Sequence, residues 1–333
     1  MLARAGLHLA AVLAATGLGL APITSSAQAQ SDNFPTRQIT MIVVFAAGGT
    51  TDVLARISAE HMSRTLGQPI VVENVAGAGG TTGGARAARS APDGYVLAVG
   101  SMGSHSATPS LYKSPGFDPR EQEAIGVIAG TPGYFVIRKN FPAQSLKEYI
   151  AYANANPGKV TVAHAGIGST NHLACLYLEH LIKVKTTHVP YRGNGPAMND
   201  LVAGQVDAMC DLAPTAVPQV QAGTIRSLMI ATEQRAASAP GVPTSKEAGL
   251  PEYLFTGWNA VFAPKGTPKA VVDKLSGALK KTVLDPAIRK RFEELGAVPP
   301  TPAEAEPQAL KAMVARQVEQ WGQVIRAAGV VPQ

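Results

Sequence analysis

The sequence predicts an α/β protein of doubly wound, mostly parallel sheets covered by helices on both faces. Three observations carry that prediction. Short apolar runs alternate with helical periodicities along most of the chain. Glycine-rich breaks fall where the apolar runs end. A length of 333 residues is enough for two ordinary domains, each with its own core. A hydrophobic content of 46% excludes a disordered chain, and 33 glycines without a Gly-X-Y period exclude collagen.

Taken in order, residues 1–29 read as a secretory signal. Arg4 precedes an apolar stretch over 7–21, and Ser25-Ser26-Ala27-Gln28-Ala29 supplies small residues at −3 and −1, so cleavage is expected after Ala29. Gly17, Gly19 and Pro22 interrupt the run and no basic cluster follows it, which argues against a membrane anchor. A periplasmic location is therefore expected. The almost wholly apolar run 39–45 is a buried parallel strand, broken by Ala46-Ala47-Gly48-Gly49. A helix starts near Thr50 or Thr51 and ends before Gly67. Strand 69–73, a glycine-rich loop over 74–84 and strand 95–99 follow. Further units are strand 135–137, helix 146–155, strand 160–163, helix 171–182 and strand 187–189. After these come helix 196–203, strand 206–209, helix 215–222 and strand 225–231. Beyond 258–263 the chain reads as mainly helical, over 269–284, 287–295 and 309–328.

Ligands on open α/β sheets bind beyond the carboxyl ends of strands. There the chain places Ala47-Gly48-Gly49-Thr50-Thr51-Asp52, where glycines admit a ligand to the backbone and a helix start offers free N–H groups and a positive dipole end. Asp52 is the odd member, because a carboxylate repels an anion; it either supports the first helical turn or faces an ammonium group. A tight turn without a ligand fits the same residues. Gly168-Ser169-Thr170-Asn171-His172 repeats the arrangement after strand 160–163, with Ser169 or Thr170 as N-cap. His172 in the first turn is either structural or a neutral hydrogen-bond donor. Ser101-Met102-Gly103-Ser104-His105 is a third such loop.

Catalytic signatures are missing. Gly77-Ala78-Gly79 begins like a dinucleotide fingerprint, but Thr82 stands where its third glycine belongs. No phosphate loop, HExxH or GxSxG occurs, the seven histidines show no metal-ligand spacing, and Cys175 and Cys210 form no CxxC. Neither catalytic residues, a metal nor a cofactor is expected. The net charge of +6 comes from scattered residues and does not mark a nucleic-acid partner.

Val43-Val44-Phe45-Ala46-Ala47-Gly48-Gly49-Thr50-Thr51-Asp52-Val53-Leu54-Ala55-Arg56 resembles the opening signature of the Bug family, the substrate-binding receptors of tripartite tricarboxylate transporters. Further segments match that family in order: Val72-Glu73-Asn74, Gly77-Ala78-Gly79-Gly80, Ala91-Pro92-Asp93-Gly94-Tyr95, Gly168-Ser169 with His172-Leu173-Ala174, Val189-Pro190-Tyr191-Arg192-Gly193, Gly204-Gln205-Val206-Asp207, Glu247-Ala248-Gly249-Leu250-Pro251, and Phe262-Ala263-Pro264 with Gly266-Thr267-Pro268. The match spans essentially the whole mature chain. The resemblance implies a two-lobed periplasmic-binding-protein fold, type II-like, with a hinge and an interlobe cleft. Lobe 1 would comprise 30–131 plus 255–333, and lobe 2 would comprise 132–254. It implies capture of a small carboxylate by Ala47 to Asp52 and by Gly168, Ser169, Thr170 and His172. Ser101, Ser104, His105, Thr131 and Asp211 complete the implied set. It also implies delivery to a membrane permease, with the receptor itself a monomer. Val44, Thr108 and Cys210 depart from the family pattern. An oxidising periplasm permits a disulfide, but Cys175 and Cys210 both fall inside regular elements and are expected as free buried thiols. The competing readings are an exported hydrolase or lyase and a ligand sensor for a signalling kinase.

Overall fold

The computed structural model describes residues 33–327 and Pro332; the expected signal segment 1–29 lies outside the described residues. The chain runs β1 (Ile39–Val43), α1 (Thr50–Leu66), β2 (Ile70–Asn74), α2 (Thr81–Ala88), β3 (Val96–Ser101), α3 (Thr108–Leu111), β4 (Glu123–Arg138), α4 (Leu146–Ala155), β5 (Thr161–His164) and α5 (Thr170–Ile182). It continues through β6 (Thr187–Pro190), α6 (Asn194–Val202), β7 (Ala208–Leu212), α7 (Ala213–Gln221), β8 (Ile225–Ile230), β9 (Thr256–Ala263), α8 (Lys269–Leu284), α9 (Pro286–Glu294) and α10 (Pro307–Ala327).

The strands follow one hydrogen-bonded path, β2-β1-β3-β9-β4-β7-β5-β6, with β8 also on β4. β4 is sixteen residues long and belongs to two halves. Its residues 123–132 pair with β9, and its residues 133–138 pair with β7 and β8. The chain returns between the halves just before β9, where the Gly133 N–H donates to Phe255 O (2.9 Å) and the Phe255 N–H to Ala231 O (3.0 Å). This is the two-lobed α/β architecture, and each half is a sheet covered by helices.

α1 shows why the elements form where they do. Leu54, Ala55, Ile57, Ser58, Ala59 and Met62 recur at helical spacing and are buried. Gly67 then closes the helix in the left-handed conformation (φ +70°), its N–H donating to Ser63 O at 2.9 Å. β1, feeding α1, is buried along nearly its whole length.

Three expectations are corrected. The sheets are mixed rather than mostly parallel, because β9 and β4 run antiparallel to their neighbours while β1–β2, β1–β3, β5–β6 and β5–β7 are parallel. The expected loop over 74–84 contains a single 3-10 turn and the start of α2. Its glycines lower helix propensity, yet they are needed there: a Cβ on Gly83 would lie 2.5 Å from Val75 O and 2.9 Å from Val44 Cα. The third correction concerns the cysteines. Cys175 on α5 and Cys210 on β7 are joined in a disulfide, with Cα atoms 5.4 Å apart, and neither is a free thiol. Regular elements did not keep them apart, because α5 packs on β7 and brings one turn of the helix against one strand residue.

Candidate functional site

The two halves meet across a closed cleft built from strand-end loops. α1 begins at Thr50 behind Gly49, which supplies no side-chain cap. Among the described residues, the amides of its first turn therefore have no intrahelical or side-chain acceptor. α5 begins at Thr170 behind Ser169, whose Oγ accepts the His172 N–H at 3.2 Å. Ala47 and Gly48 are exposed at the rim, whereas Gly49, Thr50, Thr51, Gly168, Ser169 and Thr170 are buried.

Several predicted residues converge across the cleft. The Gly103 N–H donates to Thr170 Oγ1 (3.0 Å), and Thr170 Oγ1 lies 3.3 Å from Ser101 Oγ. Thr50 Oγ1 is 3.0 Å from Thr215 Oγ1 on α7, and Thr215 donates to Asp211 Oδ2 at 2.7 Å. Asp211 Oδ1 receives the side-chain amides of Asn171 (3.3 Å) and Asn194. Full burial pushes the Asp211 carboxyl up to about 6, although the donated hydrogen bonds from Thr215, Leu212, Asn194 and Asn171 oppose the shift. Thr131, Ser101 and Asn259 share one sheet face: Asn259 pairs with Ser101 on β3, and Gly257, two residues before it, pairs with Thr131. All three are nearly or fully buried, and among the described residues Thr131 Oγ1 and both polar side-chain atoms of Asn259 have no hydrogen-bond partner.

Other predicted residues are engaged elsewhere. Asp52 is occupied inside its own half. It accepts from the Gly48 N–H (2.9 Å), Asn74 Nδ2 (2.8 Å) and Arg56 Nε (3.0 Å), and Arg56 also pairs with its second oxygen at 2.9 Å. Burial alone would raise its pKa. The hydrogen bonds from Arg56, Gly48 and Asn74, with the Arg56 charge, overcome that and hold the carboxyl below the usual range. The support of the first turn is thus the reading of Asp52 that the geometry favours, and no ammonium partner is needed. Ser104 Oγ takes the Ser101 N–H (2.9 Å) and lies 2.9 Å from His105 Nδ1. His105 stacks on Phe262 with ring centres 4.4 Å apart. Its complete burial drives its pKa to about 3, against the pull of Gln122, so it is a neutral core histidine. His172 gathers with His164 and His188, and its Nδ1 accepts the Gly168 N–H at 3.2 Å.

Asn194, Thr215 and Asn259 were missed. Gly193-Asn194-Gly195 at the start of α6 repeats the glycine-and-polar pattern of the other loops, and that signal was available. Asn259 was signalled only as a polar residue in an apolar strand. A cavity of ≈ 270 Å³ opens beside the cleft, lined by Gly77, Gly79, Tyr112, Gly166, Tyr191 and Arg192 among others.

Two α/β lobes that share a hinge strand and close glycine-rich helix starts over buried polar groups make a solute-binding receptor. The chain belongs to the tripartite tricarboxylate transporter family of receptors (TctC), whose family model matches residues 54–330. It is 34% identical to the protein BugT of Bordetella pertussis over 97% of this chain and 99% of that one. Among solved structures it resembles the periplasmic binding protein BugD (41% identity, TM-score 0.86, covering 90% of this chain and 100% of BugD). It also resembles MatC from Rhodopseudomonas palustris, described with bound malate (40% identity, TM-score 0.84, covering 88% and 100%). Among the described residues, no helix is long and apolar enough to cross a membrane.

Proposed function

We propose that this receptor works in the periplasm, after cleavage near Ala29, and captures a small carboxylate between lobe 1 (30–131 plus 255–333) and lobe 2 (132–254). It then releases the ligand to the permease of a tripartite transporter. The change of pairing partner along β4 supports those lobe limits. The observation that carries the reading is the uncapped start of α1, which faces the buried Thr215, Asp211 and Asn194 side of the cleft. A carboxylate would take the amides of Gly49 to Thr51 on one side and of Thr170 on the other, where the dipoles of α1 and α5 both favour a negative charge; the Ser169 N–H is already given to Gly166 O at 3.0 Å. Thr131 Oγ1 and the Asn259 amide are the groups that would read the rest of the ligand. A dicarboxylate such as malate is the first candidate, since a 40% identical relative is described with it. The receptor acts as a monomer, and its cleft binds without turnover: Ser104, whose Oγ lies 2.9 Å from His105 Nδ1, is fully buried with a histidine that stacks on Phe262, and His172 is turned to other histidines.

Isothermal titration of the untagged mature protein with malate and a panel of mono-, di- and tricarboxylates tests this. Saturable binding with compaction in small-angle scattering and unchanged ligand afterwards is expected. Gly49→Val should abolish it, because a Cβ there already lies 3.2 Å from Asn194 Cβ and 3.3 Å from Asn194 N. Failure of every carboxylate to bind, or consumption of the ligand, would overturn the proposal.

A further inference from the structure

We propose that His164, His172 and His188 form a site for a borderline-soft divalent cation, Zn²⁺ in the first instance, within the half that contains β5 and β6. Their spacing in sequence hides the site; topology assembles it. β5 and β6 are parallel neighbours, with His188 opposite Val162 and Pro190 opposite His164, and the first turn of α5 brings His172 to the end of β5. One ring nitrogen from each histidine lies within 4.8 Å of the other two. The ring centres are 4.5, 5.4 and 5.7 Å apart. Three imidazoles with an open fourth position are a donor set suited to Zn²⁺.

The neighbourhood of His188 points to a ligand. Its Nε2 lies 3.0 Å from Glu179 Oε2, and the other Glu179 oxygen takes the Thr186 hydroxyl. A carboxylate at Nε2 holds the ring proton there and leaves a lone pair on Nδ1. That Nδ1 is buried and has no hydrogen-bond partner among the described residues. His164 is buried and His172 is half-buried beside it. Their Nδ1 atoms accept the Gly166 and Gly168 N–H groups, each at 3.2 Å, which leaves their ring protons on Nε2. Coordination through Nε2 moves each of those protons to Nδ1 with no net proton uptake or release, and it ends both amide contacts. Two long N–H···N contacts are weak beside three cation–imidazole bonds, so the exchange favours the cation. The three nitrogens would close in to about 3.4 Å from one another, the tetrahedral edge for Zn–N bonds of about 2.0–2.1 Å.

Gly166 and Gly168 lie in the second glycine loop. On the proposed carboxylate-binding role of that loop, cation occupancy therefore alters ligand affinity. Zinc titration of untagged, chelator-stripped mature protein by calorimetry, with metal analysis after gel filtration, tests the site independently of any carboxylate. One equivalent is expected, retained in His61→Ala and lost in His188→Gln with an unchanged circular dichroism spectrum. Should that variant not fold, Glu179→Gln serves in its place, with zinc binding weakened about 10- to 100-fold. No zinc after gel filtration, or wild-type zinc binding in the folded His188→Gln or Glu179→Gln variant, would overturn the site. A malate titration repeated with and without zinc then reads the coupling: a changed affinity supports it, and an unchanged affinity with zinc bound refutes the coupling alone.

Discussion

Gly103→Ala isolates lobe closure from folding. Gly103 opens a wide helical turn, Gly103–Ala107, and is not among the glycines with positive φ, so alanine suits its backbone. A Cβ at this position would lie 2.5 Å from Gly168 O and Ser169 C, and closer still to Thr170 N. All three are backbone atoms and cannot swing aside. Ordinary contact begins near 3.4 Å, so the opposing loops must withdraw by about 1 Å. That breaks the 3.0 Å bond from the Gly103 N–H to Thr170 Oγ1 and loosens the Thr170–Ser101 contact. Overpacking of about 1–3 kcal/mol, with the loss of one hydrogen bond of about 1 kcal/mol, falls on the closed state alone. A penalty of about 2–4 kcal/mol weakens carboxylate binding roughly 30- to 1,000-fold. The open protein keeps or slightly gains stability, since alanine replaces glycine in a helical turn. Calorimetric Kd values and melting of the ligand-free protein check both halves. A Kd within about threefold of wild type, or a clear fall in the ligand-free Tm, would refute the reasoning.

Two further outcomes follow from buried groups. The Asp211 carboxyl titrates near 6 in the folded protein against an ordinary 3.8, so between those values the folded state holds more protons than the unfolded chain. Stability therefore falls as pH rises from about 4 to about 6, and Asp211→Asn should flatten that part of a Tm–pH curve; an unchanged slope difference would remove Asp211 as its source. The Cys175–Cys210 bond closes a loop of 35 residues. Reduction, or Cys175→Ser, should cost roughly 4 kcal/mol by loop entropy and lower Tm by about 5–10 °C, as melting with and without reductant will read.

What was legible in this chain divides by how a residue acts. Helix 269–284 could be bounded to the residue because local periodicity and flanking residues decide it. The starts of α1 and α5 were legible for a related reason: glycine and hydroxyl residues after an apolar strand act through backbone amides, which follow from local conformation. Side-chain roles were another matter. Asp52 and His105 sit in the right loops, but one is taken up by Arg56, Asn74 and Gly48 and the other by Phe262. Of those partners only Arg56 and Gly48, each four residues from Asp52, were visible locally. Cys175 with Cys210, Thr131 with Asn259, and His164 with His172 and His188 are joined by strand register and helix packing across long separations, and no local pattern encodes which of them meet. The family resemblance supplied the lobes, since the sixteen-residue β4 that links them looks, in sequence, like short apolar pieces punctuated by Gly126, Gly130 and Pro132. Those punctuation points fall where the strand bulges at Gly126 and where it leaves β9 for β7 and β8 at Pro132–Gly133. The second of these irregularities, Pro132–Gly133, which helped hide the strand from a periodicity reading, lies at the place where the lobes join.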